Sequence, residues 1–314
     1  MGMPAFALDP DKVVTQFVHT SWTEKDGAPG YISSIAQTTD GYLWLRTASG
    51  LVRFDGVRFV KFEPRDGERF PTSRMDRLLD TSDGSLWILF VSGCVTRIRG
   101  HHITTFCERD GLPSALSIAE KSDGTLIAGT AKGLARFKDG VWKDVTAELN
   151  FPGKQASRVF FDRAGTLWVR TGDRIVYLRP EASHFVDPGE VAGSAEFAQA
   201  PDGTVWIAEV GRSVHTIVLS NHEARTEVRV GADSVLFDRK GSLWIGSAGD
   251  GLRRVAHPER INGLRVAEFG KEADAFTTRD GLSADYIFTL FEDRERATSG
   301  LEASADLTVS VRAR

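Results

Sequence analysis

An all-β fold, a β-propeller built of four-stranded blades, is the fold class this sequence predicts, and three observations predict it. A short phrase, Thr39-Asp40-Gly41-Tyr42-Leu43-Trp44-Leu45, returns as close copies beginning at Ser82, Ser122, Arg163, Pro201 and Arg239. Its glycines (Gly41, Gly84, Gly124, Gly165, Gly203 and Gly241) follow one another at steps of 38 to 43 residues, and a fixed period near forty marks a repeat architecture. Between copies, apolar residues alternate in short runs separated by turn signals, four runs to a unit. A four-stranded sheet with two apolar faces cannot cover both alone, so successive copies must pack face to face, and a closed ring leaves no face open.

The elements follow in chain order. Residues 1–10 contain Pro4-Ala5-Phe6-Ala7-Leu8, a small-x-small pattern of the kind signal peptidase reads, and are expected to be the remnant of an export leader. Residues 11–22 alternate like an outer strand and are expected to close the ring by completing the last blade. Glu24-Lys25-Asp26-Gly27-Ala28-Pro29 recurs as Glu108 to Pro113 and Thr278 to Ser283, linking an outer strand to the next inner one. The first unit then reads as strands a (about 31–38), b (42–47), c (51–54) and d (57–62). Asp-Gly makes the turn between a and b, since glycine accepts positive φ and aspartate bonds its own backbone. A tryptophan falls in strand b of five of the six copies, where a buried ring of about 150–250 Å² contributes up to about 4–6 kcal/mol before entropy is charged.

Complete units span roughly 31–63, 74–107, 115–145, 156–186, 194–219 and 233–256, with the sixth outer strand expected near Arg265–Phe269. Tyr286 to Asp293 opens a seventh unit, which is expected to remain incomplete, because Arg296 to Glu302 supplies neither turn glycine nor tryptophan strand. Codons chosen for Ala297 to Val311 can be read in the neighbouring frame as G-N-V-W-V-G-S-K-R-G-L-D-R-F-R, the missing continuation. The expectation is therefore a propeller over residues 11–295, followed by an out-of-frame tail at 296–314 that stands apart from the fold and truncates a longer protein.

Composition narrows the function classes. Charged residues make up 26% with a net charge of −4, so no broad cationic field attracts nucleic acid. No stretch of eighteen apolar residues exists to span a bilayer. With a turn at Arg99-Gly100, Ile98 faces His101 and Val95 faces Thr104, which leaves Cys94 and Cys107 about two residues out of register, so a disulfide is not favoured. His101 and His102 point to opposite faces of a strand and cannot share one ion; they are expected in solvent, and no metal or cofactor is expected.

The repeats resemble the two-component regulator propeller repeat, whose pattern runs I-x-x-I-x-x-D-x-x-G-x-L-W-x-G-T-x-x-G-L-x-R-F-x-G. Gly50-Leu51-Val52-Arg53-Phe54-Asp55-Gly56 and Gly133-Leu134-Ala135-Arg136-Phe137 carry its second half, and matches extend from Asp9 to Glu295. The resemblance implies a periplasmic ligand-sensing module, joined in such proteins through a membrane helix to a histidine kinase or diguanylate cyclase; this sequence carries no motif of either output. Dimerisation, where it occurs, is expected through downstream domains. Arg46 and Arg170 replace the pattern's strand-b glycine, and Phe90 and Glu209 depart from it near its threonine.

Propeller ligands usually meet the loops around the central channel. On that ground Arg46, Arg74, Phe90, Arg158, Arg170, Glu209 and Arg212 are the candidate ligand-binding residues. Guanidinium forks at Arg46 and Arg170 suit carboxylate or sulfate on a sugar or small acid, and the alternative for both is a scaffold role between blades. A small-molecule or glycan sensor is the leading reading. A protein-interaction propeller comes second and a glycosidase or lyase third, since the Asp-turn-Trp phrase also resembles the Asp-box of sialidases while no acid/base pair or nucleophile stands out, so no catalytic residue is assigned.

Overall fold

The computed structural model describes residues 17–22, 24–65, 67–190, 192–219, 225–260, 273–282, 284–294 and 308–313. Six antiparallel sheets follow one another along the chain as blades 1 to 6, in the simple order a-b-c-d. Blade 1 comprises Ile32–Gln37, Leu43–Thr47, Gly50–Phe54 and Phe59–Lys61. Blade 2 comprises Met75–Asp80, Leu86–Phe90, Val95–Arg99 and His102–Phe106, and blade 3 Ala115–Glu120, Leu126–Thr130, Gly133–Lys138 and Val141–Asp144. Blade 4 has three strands, Arg158–Phe161, Leu167–Thr171 and Arg174–Leu178, with a single bridge from Tyr177 to Val186 in place of the fourth. Blade 5 comprises Ala195–Gln199, Val205–Glu209, Val214–Thr216 and Glu227–Val228, and blade 6 Ser234–Phe237, Leu243–Ser247, Gly251–Val255 and Ala273–Phe276. Arg265–Phe269, where the sixth outer strand was expected, lies outside the described residues; Ala273–Phe276 holds that place.

The repeated phrase does what its chemistry requires. Gly84 has φ of 79°, and its amide donates back to Thr81 O at 2.9 Å. The five strand-b tryptophans, Trp44, Trp87, Trp168, Trp206 and Trp244, are all buried. Most core clusters draw on two successive blades: Trp87 and Leu89 of blade 2 pack with Leu126 and Ala128 of blade 3, and Trp206 of blade 5 with Leu243 and Ile245 of blade 6. The recurring interblade loops are single 3-10 turns at Glu24–Asp26, Glu108–Asp110 and Thr278–Asp280.

Blade 2 corrects the expectation for the cysteines. Its outer hairpin turns at Gly100-His101, because Arg99 pairs with His102 and Val95 with Phe106. Moving the turn by one residue moves the register by two, which sets Cys94 opposite Cys107 with Cα atoms 4.5 Å apart, joined in a disulfide. His101 and His102 are exposed.

At the ends of the chain, Phe17–Trp22 pairs antiparallel with Thr308–Ala313. Residues 1–10 lie outside the described residues. Trp22 meets Phe54 of blade 1 at 5.2 Å between ring centroids. Residues 284–294 lie between blades 6 and 1, with Tyr286 bridged to Ala248 of blade 6 and Gln37 of blade 1 bonded to Asp293 and Arg294.

Candidate functional site

One face of the propeller carries the starts of the inner strands and the b–c turns, and most of the sequence candidates lie on it or just inside it. Arg46 and Arg170 occupy the strand-b position that is Gly129 in blade 3 and Gly246 in blade 6. A Cβ on Gly129 would meet Ala156 O at 2.5 Å, so the next blade ordinarily presses close there. Where an arginine stands, its guanidinium bonds to backbone and hydroxyl groups at that position. Arg46 donates from Nε to Met75 O of blade 2 at 3.1 Å and from Nη1 to Ser33 Oγ. Arg170 does the same, from Nε to Ala192 O at 3.3 Å and from Nη1 to Ser157 Oγ at 2.9 Å. Both arginines pin their own inner strand to the next blade, the scaffold alternative left open by the sequence.

The remaining candidates separate. Phe90 is buried and packs on Phe70 in the core between blades 1 and 2. Arg74 and Arg212 are exposed. Glu209 is buried, accepts from Gly193 N at 2.8 Å and lies 3.7 Å from Arg212 Nη1. Arg158 is the candidate that meets two residues the sequence analysis did not single out.

Those residues are Arg77 and Glu196. The third residue of each repeat's inner run is Ser34, Arg77, Ser117, Arg158, Glu196 and Ser234 in blades 1 to 6. Ser34 and Ser117 accept from the next blade's backbone, at Leu78 N (3.0 Å) and Val159 N (3.2 Å). The charged members instead reach across the ring: Arg77 of blade 2 donates from Nη2 to Glu196 Oε1 of blade 5 at 2.5 Å, and Arg158 Nη2 of blade 4 pairs with the same carboxylate oxygen. Burial first, and then the Arg77 and Arg170 cations, push Arg158 well below the ordinary guanidinium value, while Asp76 opposes them. A cavity of about 160 Å³ adjoins the cluster. Aligning the repeats position by position would have revealed this ring in the sequence.

Nearer the surface, Tyr31 is 40% and Tyr286 51% exposed, at matching positions just before Ile32 and Ile287. Phe288 lies between them, 5.3 Å from Tyr31 and 6.3 Å from Tyr286 by centroids, and the Arg46 guanidinium stands 5.9 Å from the Tyr31 centroid. These aromatic residues were also missed, because an inner-strand pattern reads them as core.

Two other features are scaffold or rim. His215 is fully buried, with Nε2 3.0 Å from Glu190 Oε1 and Nδ1 3.1 Å from Ser213 Oγ, and Arg225 also approaches Glu190. Burial keeps this Ser-His-carboxylate chain from any substrate; it ties the loop before blade 5 to that blade's strand c. A recess of about 640 Å³ between blades 5 and 6 includes Trp206, Lys240 and His257. Among the described residues no group of His, Cys, Asp and Glu could hold a metal, and no helix is long and apolar enough to cross a membrane.

No family model matches the sequence, and no curated protein does. Solved structures share its fold. The extracellular domain of a hybrid two-component system from B. thetaiotaomicron superposes with a TM-score of 0.71 at 15% identity, over 94% of this chain and 42% of that one. A virginiamycin B lyase from Staphylococcus aureus, in a catalytically inactive form with quinupristin, gives 0.68 at 14% identity, over 94% of this chain and 99% of that one. YCF48 bound to a D1 peptide gives 0.64 at 14% identity over the full length of both. This chain therefore spans less than half of that extracellular domain, and at these identities the likeness establishes the β-propeller.

Proposed function

We propose that the chain is an extracytoplasmic ligand-sensing propeller of a two-component-type receptor, and that its ligand, a small molecule or glycan, meets the channel face around Tyr31, Tyr286 and Arg46. The observation that carries this reading is the exposure of two tyrosines at matching positions, with Tyr31 beside the Arg46 guanidinium, since an exposed ring next to a planar cation suits the apolar face and the polar rim of a sugar. Arg74, Phe90, Arg158, Arg170, Glu209 and Arg212 belong to this proposal as the further ligand-binding candidates. The Cys94–Cys107 disulfide favours the periplasm, because such bonds persist in oxidising compartments.

The same reading assigns residues 284–294 to the inner strand of a seventh blade within a sensor domain of residues 11–295, with 1–10 as a leader remnant and 296–314 as an out-of-frame tail. A repeated clamp supports the seventh blade. Glu120 accepts from Ser82 N of the preceding blade and Gln199 from Arg163 N; Glu292 accepts from Arg239 N in the same way, and Gln37 from Arg294 N.

A thermal-shift screen of glycans and small acids tests the function. A ligand at 100 times its Kd should add about 2.7 kcal/mol of stability, and Tyr286→Ala should weaken it at least tenfold. Glycan turnover would replace the sensor with an enzyme, and binding of peptides alone with an interaction propeller.

A further inference from the structure

We propose that the cavity beside Arg77 and Arg158 is a binding site for a small monocarboxylate with a short apolar tail, and that the Glu196 carboxylate is a built-in occupant which this ligand displaces. The first observation is stoichiometry. One carboxylate serves two guanidinium groups drawn from blades 2 and 4, and both meet the same oxygen, Glu196 Oε1. Each guanidinium offers five N–H donors in a rigid fork; Arg77 spans both oxygens of Glu196, Nη2 to Oε1 at 2.5 Å and Nη1 to Oε2 at 3.4 Å, while Arg158 meets Oε1 alone. A ligand carboxylate could take the Arg158 fork in the bidentate manner that suits it.

Charge points the same way. At the contact itself two guanidinium groups, Arg77 and Arg158, meet the single Glu196 carboxylate, which leaves one positive charge in surplus there. The Arg158 side chain is only 12% exposed, so that surplus is poorly screened, while Arg77 at 45% and Glu196 at 27% leave the cluster open to entry from solvent. An arriving anion relieves the imbalance without either arginine having to move far.

The cavity selects the rest of the ligand. Its 160 Å³ is room for about five waters at roughly 30 Å³ each. Beyond the charged end its walls are apolar, with Leu89, Ile118, Val159 and the stacked rings of Phe160 and Phe197 at 5.6 Å. A bare inorganic anion would leave those walls wet, whereas a three- or four-carbon acid covers them. Glu196 reaches the fork from blade 5 with no tail to fill this space, which makes it a weak competitor for its own site.

The inference rests on the ligand-binding reading of the propeller but uses none of the residues tested above. Calorimetric titration of the full chain with sodium butyrate, against sodium chloride at matched ionic strength and against 1-butanol, tests it. Butyrate should bind where chloride and butanol do not. Glu196→Gln should tighten butyrate at least tenfold by removing the competing charge, and Arg158→Gln should weaken it at least tenfold. Because a buried arginine variant can fail to fold, hydrogen exchange on the unaltered chain gives an independent readout: butyrate should slow the amides of Arg158–Phe161 and Ala195–Gln199. Equal effects of chloride and butyrate, no gain in Glu196→Gln, or unchanged exchange at those strands would each overturn the proposal. Loss of glycan binding in Tyr286→Ala with butyrate binding intact would leave it standing, and the reverse result would remove this site alone.

Discussion

Asp238 closes the a–b turn of blade 6 on itself. Its carboxylate accepts from Lys240 N at 3.0 Å and, in a buried setting, from Ser242 N at 2.9 Å and Trp244 Nε1 at 2.8 Å. Asp238→Ala strands those donors away from water and is expected to cost roughly 2–3 kcal/mol, read as a lower urea midpoint at unchanged slope. Asp83, in the matching turn of blade 2, adds a pH dependence. Burial by itself would raise its pKa, but hydrogen bonds from Thr81 and Ser85 and the Arg97 cation outweigh it and hold the carboxyl at about 2. A pKa depressed in the folded state gives stability that is fully present above the unfolded value of about 3.9 and is lost as pH falls through the folded value. Asp83→Asn should therefore lower stability at pH 7 and flatten its fall between about pH 4 and 2, in urea titrations at stepped pH. At this scale the turn chemistry was legible, since donor and acceptor lie within six residues. The commitment of Arg46 was not, because its acceptor is a carbonyl in the next blade.

The hairpin of strands c and d in blade 2 shows what a single turn decides. Placing the turn at Arg99-Gly100 or at Gly100-His101 looks equivalent from composition, yet only the second aligns Cys94 with Cys107. The bond closes a loop over 13 positions of sequence, for which chain entropy gives about 3 kcal/mol. Cys107→Ser should lose about that much in urea unfolding, and a reductant should destabilise the parent chain while leaving the variant unmoved. Blade 4 shows the opposite case, in which a strand expected from the repeat shrinks to one bridge. Its outer segment, Pro180-Glu181-Ala182-Ser183-His184-Phe185-Val186, is short of alternating apolar residues.

Closure of the molecule rests on contacts between the first and last described parts of the repeat array. Gln37 is buried at that seam, donating to Asp293 Oδ1 at 2.7 Å and accepting from Arg294 N at 2.8 Å, some 256 residues away in sequence. Gln37→Ala is expected to cost about 1–3 kcal/mol through the stranded partners, and to speed hydrogen exchange in 284–294 well before it affects blades 3 and 4. A uniform response across all blades would instead show that the seam carries no special share of closure. Nearest-neighbour coupling is the ordinary condition of repeat proteins, and a closed ring adds one such coupling between its ends.

By itself the sequence determined the repeat, the strand order within each blade, the glycine turns and the burial of the tryptophans, because each depends on residues a few positions apart and on patterns of period two. The tertiary structure alone decided which arginines are pins and which meet Glu196. Arg77 and Glu196 are 119 residues apart and become neighbours only when the blades curve around one axis. Local pattern holds no record of a distance measured across the ring, and that distance is what puts two guanidinium groups on one carboxylate.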